Sequence, residues 1–137
     1  MKKWIKRIAL TFGALVGVVF LMLIYISNAQ GQSSNKTIEE LKDKGVVATV
    51  FKMPYQESEI NTIYTGDDKN MRILFIHGSP GDWTGWSNFL GDSFLTENYF
   101  MVAYDRAGFG ETTIDAQDSL SAHGEMANAI IDQFSNG

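Results

Sequence analysis

The chain has 137 residues, 45% of them hydrophobic and 20% charged, with a formal net charge of −5 and no cysteine. Its length suits one modest domain. The absence of cysteine excludes a disulfide framework, cysteine-ligated zinc and thiol catalysis. Four of the 11 basic residues fall in the opening MKKWIKR, so the remainder carries 7 basic against 16 acidic residues, a net charge of −9. Such a surface repels phosphate backbones and argues against nucleic-acid binding.

The first element is the uncharged run IALTFGALVGVVFLMLIYI, residues 8–26. As a helix it would be about 28 Å long, close to the hydrocarbon thickness of a bilayer. Trp4 and Tyr25 lie near its ends, where interfacial aromatics are favoured. The basic residues before it predict a cytoplasmic N-terminus, with the rest of the chain facing outward. Two readings remain open for residues 1–29. One is a retained signal anchor touching the membrane through residues 8–26. The other is a signal peptide cleaved after Ala29, which would leave the product secreted or periplasmic. The run exceeds the usual apolar length of a signal peptide, which favours the anchor.

The polar stretch QGQSSNK, residues 30–36, reads as a linker, leaving residues 37–137 as the domain. Thr37-Ile-Glu-Glu40 has the pattern of a capping box and predicts a short helix ending at Gly45. Strands are predicted over 46–51 (VVATVF) and 60–64, the second closed by the turn Gly66-Asp67-Asp68. MRILFI, residues 71–76, is apolar at consecutive positions, as in a strand covered on both faces. Next come the loop His77-Gly78-Ser79-Pro80-Gly81, a helix over about 83–95, and a fourth strand, YFMVAY, over 99–104. The turn Asp105-Arg106-Ala107-Gly108-Phe109-Gly110 follows. A last helix is predicted over 120–134 from the spacing of Leu120, Met126, Ala127, Ile130, Ile131 and Phe134. Alternation of strand and helix implies an α/β layered fold.

A buried strand ending in His-Gly-x-Pro-Gly, with a second strand ending in Asp-Arg-x-Gly-x-Gly, resembles the front half of the α/β-hydrolase family. Here the two pieces are His77–Gly81 and Asp105–Gly110. The resemblance implies about four strands of the hydrolase sheet with flanking helices, following a transmembrane or signal helix. It implies a hydrolase of esters, amides or related bonds that uses no cofactor and no metal, with a small molecule or peptide as substrate. It also assigns roles. The backbone N–H of Ser79 would be one oxyanion-hole donor, of the kind whose removal costs about 3 kcal/mol of transition-state stabilisation. Gly78 would let the backbone approach without a Cβ. Pro80 would fix the loop through a cis bond to Ser79, and His77 and Gly81 would brace it. Asp105, Arg106, Gly108 and Gly110 would shape the second turn. Trp83 and Trp86 either line the substrate pocket or pack the core. Ser79 is not itself the nucleophile. The residue after a nucleophile must donate its N–H to the oxyanion, and Pro80 has none. His123 comes too early to be the family's catalytic histidine. The spacing after Gly108 does not fit a dinucleotide fingerprint, and no phosphate-loop or metalloprotease pattern occurs.

In the family the nucleophile, acid and histidine all follow the pieces seen here, and no Gly-x-Ser-x-Gly stands among these residues. The expectation is an N-terminal fragment of an exported or membrane-anchored hydrolase, without turnover on its own. Strand 71–76 would then be an uncovered, aggregation-prone edge of a weakly stable domain. The alternative is a non-catalytic, membrane-tethered module that pairs through that edge.

Overall fold

The computed structural model describes the backbone of residues 2–135 and the side chains of Trp4, residues 12–25 and residues 34–135. Two compact units are present, Met1–Ser33 and Ser34–Gly137.

The first unit is helical throughout its described length, as part of helix α1 (Lys2–Asp43). Trp4 and all of residues 12–25 are exposed. Among the described residues no helix is long and apolar enough to cross a membrane. The apolar run of residues 8–26 extends at both ends past its described side chains.

Residues 30–36, read from the sequence as a linker, are helical. The physical reason lies just downstream. Ser34, Thr37 and Leu41 are buried on one helical face, and packing of that face sustains the helix back through residues of indifferent propensity. Thr37 is therefore an interior residue and not an N-cap. The helix stops as its glycine predicts. Gly45 has φ +79°, its N–H donates to the Lys42 carbonyl at 2.9 Å, and the Val46 N–H donates to the Leu41 carbonyl at 3.0 Å. This double closure is a Schellman motif.

The second unit is built on a four-stranded mixed sheet in the order β1-β2-β4-β3. Strands β1 (Thr49–Tyr55) and β2 (Ser58–Thr65) form an antiparallel hairpin around Gln56 and Glu57, and β2 pairs antiparallel with β4 (Tyr99–Tyr104). Strand β3 (Met71–Ile76) runs parallel to β4, with Ile73 opposite Met101 and Ile76 opposite Tyr104. The first strand begins later than its composition suggests and runs through Pro54, which the outer position of β1 tolerates. β3 occupies the other edge. Its residues Ile73, Leu74 and Phe75 are only half-buried, and Met71 and Ile76 are exposed. Burial on both faces, expected for β3, belongs instead to β4, where Phe100 through Tyr104 are all buried.

Alternation along β4 divides the core between the two faces of the sheet. Phe100, Val102 and Tyr104 join Met53, Ile60 and the Met126 and Ile130 of helix α4 (Leu120–Ser135). Met101 and Ala103 join Leu41, Ile63, Trp83 and Leu90 on the opposite face. The single helix expected over 83–95 is broken into a 3-10 turn (Trp83–Trp86), α2 (Ser87–Leu90) and α3 (Ser93–Asn98). Gly91 stands at the break, and its lack of a Cβ lets the Leu41 side chain pack close, since a Cβ there would lie 2.7 Å from it. Asp92 then caps α3 by accepting the Leu95 N–H at 2.9 Å.

Candidate active site

Because β3 and β4 are parallel neighbours, the loops that follow them emerge side by side. The carboxyl ends of such strands are where open α/β sheets place their ligands. The His77–Gly81 loop and the Asp105–Gly110 turn meet there through one imidazole. His77 is buried, and its Nε2 accepts the Arg106 backbone N–H at 3.0 Å. An acceptor at Nε2 places the ring proton on Nδ1, which donates to the Gly78 carbonyl at 2.7 Å. Both ring nitrogens are thus occupied in joining the two motifs. The ring also stands edge-on to Phe109, with centroids 5.4 Å apart.

The Ser79–Pro80 bond is cis. Gly78, Ser79, Pro80 and Gly81 are exposed, so the loop offers its backbone outward. Beside it lies a cavity of about 360 Å³, with Gly78, Pro80, Asp82, Thr84 and Trp86 in its wall. Asp82 shapes the next turn, its Oδ1 accepting both the Thr84 N–H and the Thr84 hydroxyl. A second groove of about 260 Å³, more apolar, lies between β3 and α4 and is lined by Ile73, Leu74, Ile130 and Phe134. It does not include the His77 loop.

Asp105 is fully buried and organises the second motif. Its Oδ1 accepts the Trp83 N–H at 2.9 Å. Its Oδ2 accepts Asn61 Nδ2 at 2.8 Å and the Glu111 N–H at 2.9 Å. Its backbone N–H donates to the Asn61 carbonyl, and its own carbonyl accepts the Thr112 hydroxyl. One carboxylate therefore ties the turn to β2 and to the start of the 3-10 turn that follows the His77–Gly81 loop. Gly110 is required by this arrangement. It has φ +54°, and a Cβ on it would come within 2.1 Å of Asp105 Oδ2. Gly108, at φ +80°, passes so close to Ala116 that a Cβ would lie 2.5 Å from the alanine methyl. The Arg106 guanidinium lies over the Phe109 ring at 5.1 Å. Burial pushes the Tyr104 hydroxyl above its ordinary pKa, and the positive charge of Arg106 offsets part of that.

The two tryptophans separate. Trp83 is 1% exposed and packs with Leu41, Ile63 and Leu90, which removes it from the pocket candidates. Trp86 lines the cavity and meets the Phe75 and Phe89 rings in tilted contacts, with centroids 5.1 and 5.8 Å away. His123 sits on α4, where its Nε2 bonds the Gln117 carbonyl. Sequence reasoning missed Asn61, Thr112 and Thr113. Thr112 and Thr113 hydroxyls accept the N–H groups of Asn61 and Glu59, closing the turn against β2. A polar residue inside a strand and two threonines in a loop carry no local sign of this pairing.

The fold and site together define an α/β layered protein with a glycine- and proline-bearing loop at the carboxyl end of its parallel strands. Solved structures agree. A membrane phospholipase A, a bacterial virulence factor, is similar at 27% identity over 96% of this chain and 40% of its own, with a TM-score of 0.59. A haloalkane dehalogenase from Bradyrhizobium elkani is similar at 20% identity over 65% of this chain and 30% of its own, with a TM-score of 0.57. A thioesterase domain from a curacin biosynthetic pathway is similar at 16% identity over 64% of this chain and 31% of its own, with a TM-score of 0.53. No family model and no curated protein matches the chain. The chain has the α/β-hydrolase fold, and it spans well under half the length of each of these three proteins.

Proposed function

We propose that these residues are the oxyanion-loop portion of an exported, membrane-anchored hydrolase that cleaves an ester or related bond. The observation that carries this is the His77 bridge. It holds the exposed residues 78–81 beside a cavity while using both ring nitrogens for support. That suits a loop whose working group is a main-chain N–H, here assigned to Ser79. The anchor is residues 8–26. Fourteen consecutive exposed residues over 12–25 lack any charge, and such a surface is stable only when apolar matter covers it. Coverage of 96% of the chain by a membrane phospholipase favours the same reading.

Hydrolysis also needs a nucleophile, a base and a second oxyanion donor, and none of these 137 residues is assigned to those roles. We therefore assign no turnover to these residues by themselves. The test starts from the gene. An open frame continuing past the Gly137 codon into a Gly-x-Ser-x-Gly stretch supports the reading, and the longer product is assayed on phospholipid and simple esters. Ser79→Pro removes the donor and lowers kcat about 100-fold, whereas Ser79→Ala keeps it and has little effect. Equal effects of the two substitutions would refute the assignment. The half-buried open edge of β3 favours a second reading, a tethered module that pairs with another chain there, and the absence of any hydrolase-like continuation would support it.

A further inference from the structure

Arg106 places a half-buried cation at the junction of the two loops. Its backbone N–H is taken by His77 Nε2, and its guanidinium lies over the Phe109 ring, which also meets His77 edge-on. After Arg72 the chain has nine acidic residues and Arg106 as its only lysine or arginine. Arg106 nevertheless pairs with no carboxylate among the described residues, in which all 16 acidic side chains fall. Lys36 and Lys52 each meet a glutamate, and Arg72 Nε donates to the Phe134 carbonyl. By contrast, Arg106 Nε is buried without an acceptor, and no hydrogen bond engages the rest of the guanidinium among the described residues. A charge drawn out of water and left unpaired is costly, and an anion that pairs with it recovers the loss.

We propose that Arg106 anchors a carboxylate-bearing small molecule at the junction of the two loops, its guanidinium donating paired hydrogen bonds to the carboxylate oxygens. The Phe109 ring covers a face of the guanidinium and not its edge, and the edge is where the fork of donors matches a planar carboxylate. The surrounding charge selects a monoanion. Nine acidic residues with one cation among them oppose a phosphate dianion more strongly than a carboxylate, and a single guanidinium balances one negative charge. This goes beyond the hydrolase reading and does not depend on it.

The experiment uses the full chain in non-ionic detergent micelles and follows the arginine Hε protons by nitrogen-edited NMR. Sodium acetate, sodium phosphate, sodium chloride and methyl acetate are the probes, at constant ionic strength. Acetate is expected to move the Arg106 Hε resonance downfield in a saturable way. It should leave Arg72 Hε in place, since that group is already bound to the Phe134 carbonyl. Chloride and neutral methyl acetate should move neither, and phosphate should bind more weakly than acetate. Arg106→Lys keeps the charge without the fork and should weaken acetate binding, read at the Phe109 amide, by about tenfold. Arg106→Gln should abolish it. Both variants keep the backbone N–H that His77 accepts, and an unchanged Trp83 indole resonance shows that they fold. Should either misfold, the titration of the unaltered chain decides alone. An Arg106 resonance that acetate leaves unmoved, or that moves equally with chloride or methyl acetate, overturns the proposal. An acetate response at Phe109 that survives Arg106→Gln does the same, and tighter binding of phosphate overturns the choice of carboxylate. None of these measurements requires turnover, so their failure leaves the hydrolase reading standing.

Discussion

Replacing Asp105 with alanine removes the acceptor for three donors at once. They are the Trp83 N–H, Asn61 Nδ2 and the Glu111 N–H, at 2.8–2.9 Å from a carboxylate that is 0% exposed. Each donor left dry costs about 1–3 kcal/mol, and the three share one site, so partial rearrangement makes the sum less than additive. We expect a loss of about 4 kcal/mol, a large part of the stability of a small domain. The assay is amide hydrogen exchange on the full chain in micelles, followed at Trp83 and Glu111, with urea unfolding read through the buried Trp83 indole. Gly110→Ala provides an internal control. Alone it is strongly destabilising, since its Cβ collides with the Asp105 carboxylate and its φ is +54°. In the Asp105→Ala background the collision disappears and only the backbone term of about 1 kcal/mol remains. Asp105→Ala with unchanged midpoint and undiminished protection at both amides would refute the role of this carboxylate. Strict additivity of the two substitutions would do the same.

Leu41→Ala should cost about 2–5 kcal/mol, because Leu41 is 1% exposed between Trp83 and Leu90, and the loss appears as a lower urea midpoint. Gln56 holds φ 54° at the first position of a two-residue hairpin turn. Gln56→Gly should therefore stabilise the hairpin by up to about 1 kcal/mol, measured in the same unfolding series. Tyr104 predicts an alkaline limb. Its folded pKa lies above the unfolded value of 10.0, so the unfolded chain loses this proton first. The stability it contributes is complete below the unfolded pKa and is lost as pH rises through the folded one. Tyr104→Phe should flatten that limb without changing the neutral region.

The two loops of the candidate site were legible where they rest on backbone chemistry. His77-Gly78-Ser79-Pro80-Gly81 and Asp105–Gly110 could be read because glycine, cis-proline and a turn-forming aspartate are each required by a local conformation. Strands β3 and β4 and helix α4 were equally plain, with periodicity and composition in agreement. The helix through residues 30–36 was not legible in their polar composition, whereas the burial of Ser34, Thr37 and Leu41 on one face accounts for it. The fates of Trp83 and Trp86, three residues apart, could not be separated by type. Which segments pack around each ring decides it, Trp83 being enclosed by Leu41, Ile63 and Leu90 while Trp86 borders the cavity.

By itself the sequence determined the two glycine-bearing loops, their order along the chain and the main strands and helix around them. These depend on residue-level preferences that act over a few positions. Only the tertiary structure decided that β4 is the central strand and β3 the edge. It alone brought Asn61 to Asp105 across 44 positions and joined the two loops through His77 across 29. Such contacts depend on which distant segments become neighbours, and no local preference encodes that.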